Sequence, residues 1–289
     1  MDSITHTLFG LAIYESFKIK NESKQYNRAL LVTSISASQI PDIDVISKLW
    51  DTEGLYQMWH RGITHSLVLT PVWSLLFFLL AWSLFKIKDM RIFYISWLAV
   101  FIHDTSDLFN AWGTGYFEPF STVRITFGTV PIVDFVFWII IIGAFGLKKW
   151  AKMNGRFVFK IAWMLIVFHV VVQSTQGYFI YNQYKTDYDQ VALSADFVPS
   201  KFKVIGKKDG VVNVIDAHVI MNDKLQYTLP SSEDADLDLL FTERPRARTL
   251  FEWSPFVVIV DDDQMLGIYD PRFYRNGQSF LFEYIEKVN

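Results

Sequence analysis

Long apolar runs broken by short polar stretches fill the first 180 or so residues, and residue-by-residue alternation follows. The clearest run is Ile63–Phe85, reading ITHSLVLTPVWSLLFFLLAWSLF. Ile92–His103 comes next, extended by polar helix to about Asn110, and then Pro131–Leu147 and Phe157–Gln176. Two shorter runs precede them, Ser3–Phe17 and Ala29–Ile40. Both carry Ser, Thr or His, which suits packing inside a bundle rather than facing lipid. A hydrocarbon core of roughly 30 Å takes about 20 helical residues to cross. The pattern therefore predicts about six transmembrane helices. The first run lacks a basic leader and a small-residue cleavage site, so it reads as a retained helix.

From about Lys185 the period falls to two. FKVIG and VVNVIDAHVIM read as strands joined by a tight turn at Asp209–Gly210, and FVVIV and MLGIY repeat the arrangement around DDDQ. SFLFEYIEKV is a last strand, and SSEDADLD is an acidic loop or the start of a short helix. The expected organisation is an α-helical polytopic membrane bundle over residues 1–182. A small β-rich domain over residues 183–289 follows, serving as lid, substrate guide or scaffold.

Composition narrows this further. Apolar residues make up 51% and aromatics 17%, which excludes an ordinary soluble enzyme. Cysteine is absent, so any metal must be held by imidazole and carboxylate. No basic tract points to nucleic acid. The loops after the first, third and fifth runs hold Lys18, Lys20, Lys24 and Arg28, then Lys86, Lys88 and Arg91, then Lys148, Lys149, Lys152 and Arg156. The opposite loops hold only Lys48, Arg61 and Arg124. Basic loops stay cytoplasmic, so the N-terminus and the β-rich domain are expected outside the cell membrane.

Five polar motifs sit at the ends of the runs, all on that outer side: Thr5–His6, Pro41–Asp44, His60–Ser66, His103–Asp107 and Phe109–Thr114. Ionisable groups at membrane depth are costly and mark function. His103 and Asp107 are four apart and share a helix face, which Asn110 continues. Asp104 lies about 100° round that helix and points to a neighbour or a second ion. Asp42 and Asp44 emerge beyond Pro41 in irregular chain, where two carboxylates can converge. His60 and His65 flank Gly62, and His6 follows one turn after Asp2. This pool exceeds one tetrahedral zinc and suits two or three divalent ions, with zinc favoured, manganese or iron next, and magnesium open. His169 reads as a packing residue, and His218 as structural or exposed. Trp50, Trp59 and Trp112 read as interfacial belt.

These motifs carry a resemblance. The order DSxTHxxxG from Asp2, PDID, HRGxTHS, HDxxD and NAWGT resembles the YdjM-type family of membrane-bound metal-dependent hydrolases across the helical part. The tail resembles the longer members at Trp253 and at Tyr269–Phe273. The resemblance implies that His6, Asp42, Asp44, His60, His65, His103 and Asp107 form the metal site, and no departure occurs at those positions.

The reading that follows is a hydrolase of a membrane lipid substrate, a lipid-linked ester and foremost a phosphoester, at the outer leaflet. Asp104 is the candidate base or additional ligand. Arg61 and Arg124 are candidate phosphate clamps, since a guanidinium fork fits phosphate oxygens, or equally headgroup anchors. A protease is disfavoured because HExxH is absent. The alternatives are a non-enzymatic metal-binding protein (a sensor or transporter component) and a regulatory scaffold using the acidic stretch near Glu233–Asp238.

Overall fold

A computed structural model describes residues 1–19 and 21–287, so Lys20 of the first basic loop and the last two residues of the β-rich region lie outside it. The chain forms two compact units. One comprises Met1–Asp44 and Arg61–Val172, the other Val45–His60 and everything from Gln173.

The first unit is helical. Helix α1, Ser3–Phe17, starts where the Asp2 carboxylate accepts from the amides of Ile4 and Thr5, satisfying two donors that a helix start leaves unpaired. Helix α2, Lys24–Ala37, is capped by Ser23 in the same way, and a 3-10 segment, Ile40–Leu49, follows. Helix α3, Tyr56–Trp59, belongs to the second unit. A short 3-10 turn, Ile63–His65, then precedes α4, Thr70–Phe85, which carries Pro71 in its first turn where no hydrogen bond is lost. Helix α5, Met90–Asp107, is capped by Asp89, and α6, Phe135–Trp150, by Asp134. Helix α7, Gly155–Tyr184, begins in the first unit and ends in the second.

Two apolar clusters hold this unit. One surrounds Phe9, Phe137, Ile141 and Phe159, the other Ile13, Leu30, Phe77, Ile92 and Val100. Helices α1 and α2 meet backbone to backbone. A Cβ on Gly10 would lie 2.8 Å from both the Ile35 Cα and the Ser34 carbonyl oxygen.

The expectation of about six spans is corrected. Among the described residues only α7, with 30 residues, is long and apolar enough to cross a membrane by itself. The number rises to at most three if Lys24–Ala37 with Ile40–Leu49, and Tyr56–His65 with Thr70–Phe85, each count as one bent span. The reason lies in where the helices break. The 63–85 run is interrupted at Ser66–Leu69, leaving α4 with 16 residues. Helices α1, α2 and α6 have 15, 14 and 16 residues, short of the roughly 20 a straight crossing needs. Helix α5 has 18, but Arg91, Asp104 and Asp107 lie within it.

The second unit contains the β structure. Strands β1 (Gln190–Ala195), β2 (Lys201–Lys208), β3 (Val211–His218) and β4 (Lys224–Pro230) form an antiparallel meander in sequence order. Helices α8 (Asp238–Glu243) and α9 (Pro245–Trp253) follow. A three-stranded antiparallel sheet then pairs β5 (Val258–Asp261) with β6 (Met265–Tyr269), and β6 with a strand at Phe282–Glu286. The alternation read from the sequence is visible as burial. Phe202, Val204, Ile215 and Ala217 are buried in one core, and Ile205, Val212 and Val214, on the other face of the sheet, in a second.

Candidate metal centre

Four ligand atoms, one each from Asp42, His65, His103 and Asp107, lie within 4.8 Å of one another. All four residues belong to the first unit. Asp42 comes from the 3-10 segment after α2, His65 from the 3-10 turn before α4, and His103 and Asp107 from the last turns of α5. The i, i+4 spacing on α5 puts both of its side chains on one face.

Hydrogen bonds at the rear of each imidazole fix what it presents. His103 Nδ1 lies 2.7 Å from the Ser38 carbonyl oxygen, which can only accept, so Nδ1 carries the hydrogen and Nε2 presents a lone pair. Thr64 donates its hydroxyl to Asp44 Oδ2 at 2.9 Å, leaving its oxygen to accept from His65 Nδ1 at 3.1 Å. In the neutral ring His65 Nε2 then also presents a lone pair. The two Nε2 atoms are 3.1 Å apart. His65 Nε2 lies 3.3 Å from Asp42 Oδ1 and 3.6 Å from Asp107 Oδ2, and His103 Nε2 is 3.8 Å from each. Two imidazole nitrogens and two carboxylate oxygens thus face one another, a donor set that fits a divalent cation. Both nitrogens of His6 are buried without a hydrogen-bond partner, which adds to the fit.

His6 flanks this quartet. Its ring stacks on His103, and its Nε2 is 3.6 Å from Asp107 Oδ1. Asp44 accepts from the Arg61 amide at 2.9 Å and lies behind His65, 3.4 Å from its Nδ1. Asp104 is fully buried, with both carboxylate oxygens unpartnered and an electrostatic interaction with His65 and Asp42. His60 belongs to the second unit, where its ring stacks on Tyr56 with centroids 5.0 Å apart.

The two arginines differ in setting. Arg61 is buried. Its Nε lies 3.1 Å from Asp107 Oδ2, its Nη1 donates to Asn110 Oδ1 at 2.7 Å, and its Nη2 donates to the Met1 carbonyl. The Met1 ammonium also contacts Asp107. Arg124 is half-buried in the loop between α5 and α6 and donates to the Gly113 carbonyl. Burial lowers its guanidinium from the usual range, against the pull of Glu118 and Asp44.

His169 pairs with Asp134 at 2.8 Å in a packing contact between α7 and the start of α6, and His218 lies at the end of β3. Sequence reasoning did not single out Ser38, Thr64 or Met1. Ser38 acts through its backbone, which no side-chain pattern reports. Thr64 could have been found as the hydroxyl directly before His65.

Comparison with known proteins adds the following. The family described as YdjM inner membrane protein matches residues 1–178. The chain is 30% identical over 142 residues to the uncharacterized protein YfhP of Bacillus subtilis (strain 168), covering 47% of this chain and 43% of that protein. The chain thus spans less than half the length of this curated relative. No solved structure matches.

Proposed function

Because the chain belongs to the YdjM inner membrane protein family, we propose that it is a metal-dependent hydrolase of a lipid-linked phosphoester at the extracytoplasmic leaflet. The observation that carries this reading is the largely buried convergence of Asp42 Oδ1, His65 Nε2, His103 Nε2 and Asp107 Oδ2. Those four side chains would hold a divalent cation, with His6 beside them. Mixed imidazole and carboxylate ligands without thiolate favour zinc, then manganese or iron. A bound cation would supply Lewis acidity and lower the pKa of a water.

The protein's own groups do the rest. Ser38 and Thr64 orient the two imidazoles from behind, the kind of support that fixes a ligand's tautomer. Arg61 holds Asp107. Asp42 is the one member of the quartet with solvent exposure, its side chain 20% accessible, so substrate approaches from its side. Asp104 is the group placed to accept a proton or to bind as a further ligand. Arg124 stands in the loop flanking the centre and is the arginine suited to a phosphate oxygen.

Orientation follows from loop charge. The basic turns lie at the ends of α1, α4 and α6, whereas His6 opens α1 and Asp107 closes α5. Basic loops stay cytoplasmic, which supports a metal centre on the extracytoplasmic side.

A second reading, metal binding without turnover, has one observation in its favour. Three of the four ligands are buried, as in closed structural sites. The deciding experiment is elemental analysis of detergent-purified protein, followed by incubation with a panel of lipid-linked phosphoesters. Release of phosphate or headgroup that His103→Ala abolishes supports the hydrolase. Stoichiometric metal with no release from any lipid leaves the binding reading in its place.

A further inference from the structure

Helix α7 is longer than a membrane is thick. Thirty residues at about 1.5 Å each exceed a hydrocarbon core of roughly 30 Å. Its apolar stretch runs from Ile161 to Ile180 without Lys, Arg, Asp or Glu, and a collar of Tyr178, Phe179, Tyr181 and Tyr184 closes it. Tyr178 and Phe179 are well exposed. Aromatic collars of this kind mark the membrane–water boundary.

The four-stranded sheet packs on this stretch of α7. Ile180 shares a core with Leu193, Phe202, Val204 and Ile215. Three hydrogen bonds fix the level of one end of the sheet along the helix. The Ser200 amide, in the β1–β2 turn, donates to Gln173 Oε1 at 2.9 Å. Asp223, in the β3–β4 turn, accepts from the Tyr184 hydroxyl at 2.6 Å and from Gln183 at 3.3 Å. The Val219 amide reaches the Ser200 carbonyl, so the two turns lie side by side. They bracket the aromatic collar from Gln173 to Tyr184.

The tips of these two turns are apolar and exposed, although the Arg275 guanidinium lies over the Phe197 ring. Phe197 and Val198 form the tip of one, Val219, Ile220 and Met221 the tip of the other. Ile220 is 86% exposed and Met221 69%. Five such side chains together at a boundary collar are unsuited to water, and burying them in lipid removes apolar area from it. We infer that the β1–β2 and β3–β4 turns dip into the outer face of the bilayer beside α7, anchoring the sheet to the lipid surface. The occupant of this patch is lipid, because the span that sets its level continues directly into the sheet's own core. Interfacial elements sit about 5–10 Å into the headgroup and acyl boundary. The inference rests on α7 as a span and on no chemistry at the metal centre.

The absence of cysteine makes the test direct. Ile220→Cys, Phe197→Cys and, at the opposite end of the sheet, Lys208→Cys are each spin-labelled in the full-length protein. The proteins are reconstituted in phosphatidylcholine and phosphatidylglycerol vesicles. Phe168→Cys, on the exposed face of α7, reports the span itself. Labels at 220 and 197 are expected to collide several-fold more with oxygen, relative to an aqueous nickel complex, than the label at 208. A ratio at 220 equal to that at 208 overturns the inference. The reading at 168 then tells whether the span failed with it. Strong spin–spin coupling between labels at 220, the mark of a second copy covering the patch, overturns it too.

Discussion

His6 and His103 lie ring on ring, with centroids 3.6 Å apart and planes 18° from parallel, although one opens α1 and the other ends α5. The stack joins the first and fifth helices at the candidate metal centre, and it sets His6 3.6 Å from the same Asp107 that faces His65 and His103. His6 is therefore a flanking group able to join the quartet by a small movement of one ring. Replacing it with Phe keeps the stack and removes the nitrogens. His6→Phe is expected to fold normally and to lower metal stoichiometry or affinity, measured by elemental analysis and competition with a chelator. Unchanged metal binding would assign His6 to packing alone.

Thr64 touches no cation position, yet its hydroxyl links His65 to Asp44. Thr64→Val keeps the shape and deletes both contacts. Metal affinity is expected to fall by about 10–100-fold, the usual cost of losing a supporting contact behind a ligand. A titration with a zinc-sensitive dye reads the change.

Arg61 is buried against Asp107 and Asn110. Removing it leaves Asp107 with less compensation, and breaking such a pair costs about 3–5 kcal/mol. Arg61→Met is expected to lower the thermal midpoint in detergent strongly, and added zinc is expected to recover part of the loss by supplying positive charge. Arg124→Ala should behave in the opposite way, leaving stability and metal content near wild type while slowing turnover. If Arg61→Met is as stable as wild type, its guanidinium is not the counter-charge of Asp107.

Asp104→Asn removes a charge and keeps the volume. Loss of hydrolysis with metal retained would mark Asp104 as a proton carrier, and loss of metal would mark it as a ligand. Full activity in this variant would remove Asp104 from the chemistry.

Gly10 lets α1 rest on α2, and a methyl there meets backbone atoms of Ile35 and Ser34 that cannot turn aside. Gly10→Ala is expected to cost about 1–3 kcal/mol, as overpacking does. Because α1 carries His6 and α2 leads to Ser38 and Asp42, metal affinity should fall as well. Thermal unfolding and metal titration of the same sample test both effects.

Several features were legible in the sequence. The apolar run Ser3–Phe17 is α1 with its observed bounds. The four-residue spacing of His103 and Asp107 gave one face of α5. Asp209–Gly210 gave the β2–β3 turn. The number of spans was misread because hydropathy does not register a break such as Ser66–Leu69, where the Leu67 amide turns to the Tyr116 carbonyl. Within HRGITHS, Arg61 adopts a φ of 60°, and the two compact units divide between His60 and Arg61. Strands β1 and β4 escaped because they edge their sheet and mix polar with apolar positions.

Every side chain of the quartet precedes residue 108, and so do Ser38, Thr64 and Arg61 behind it. During synthesis the capture of an ion must wait for the end of α5 to emerge, since no earlier fragment holds both His103 and Asp107. It need not wait for the sheets. The quartet lies wholly in the first compact unit, so uptake of an ion by these side chains would call on no residue of the sheets.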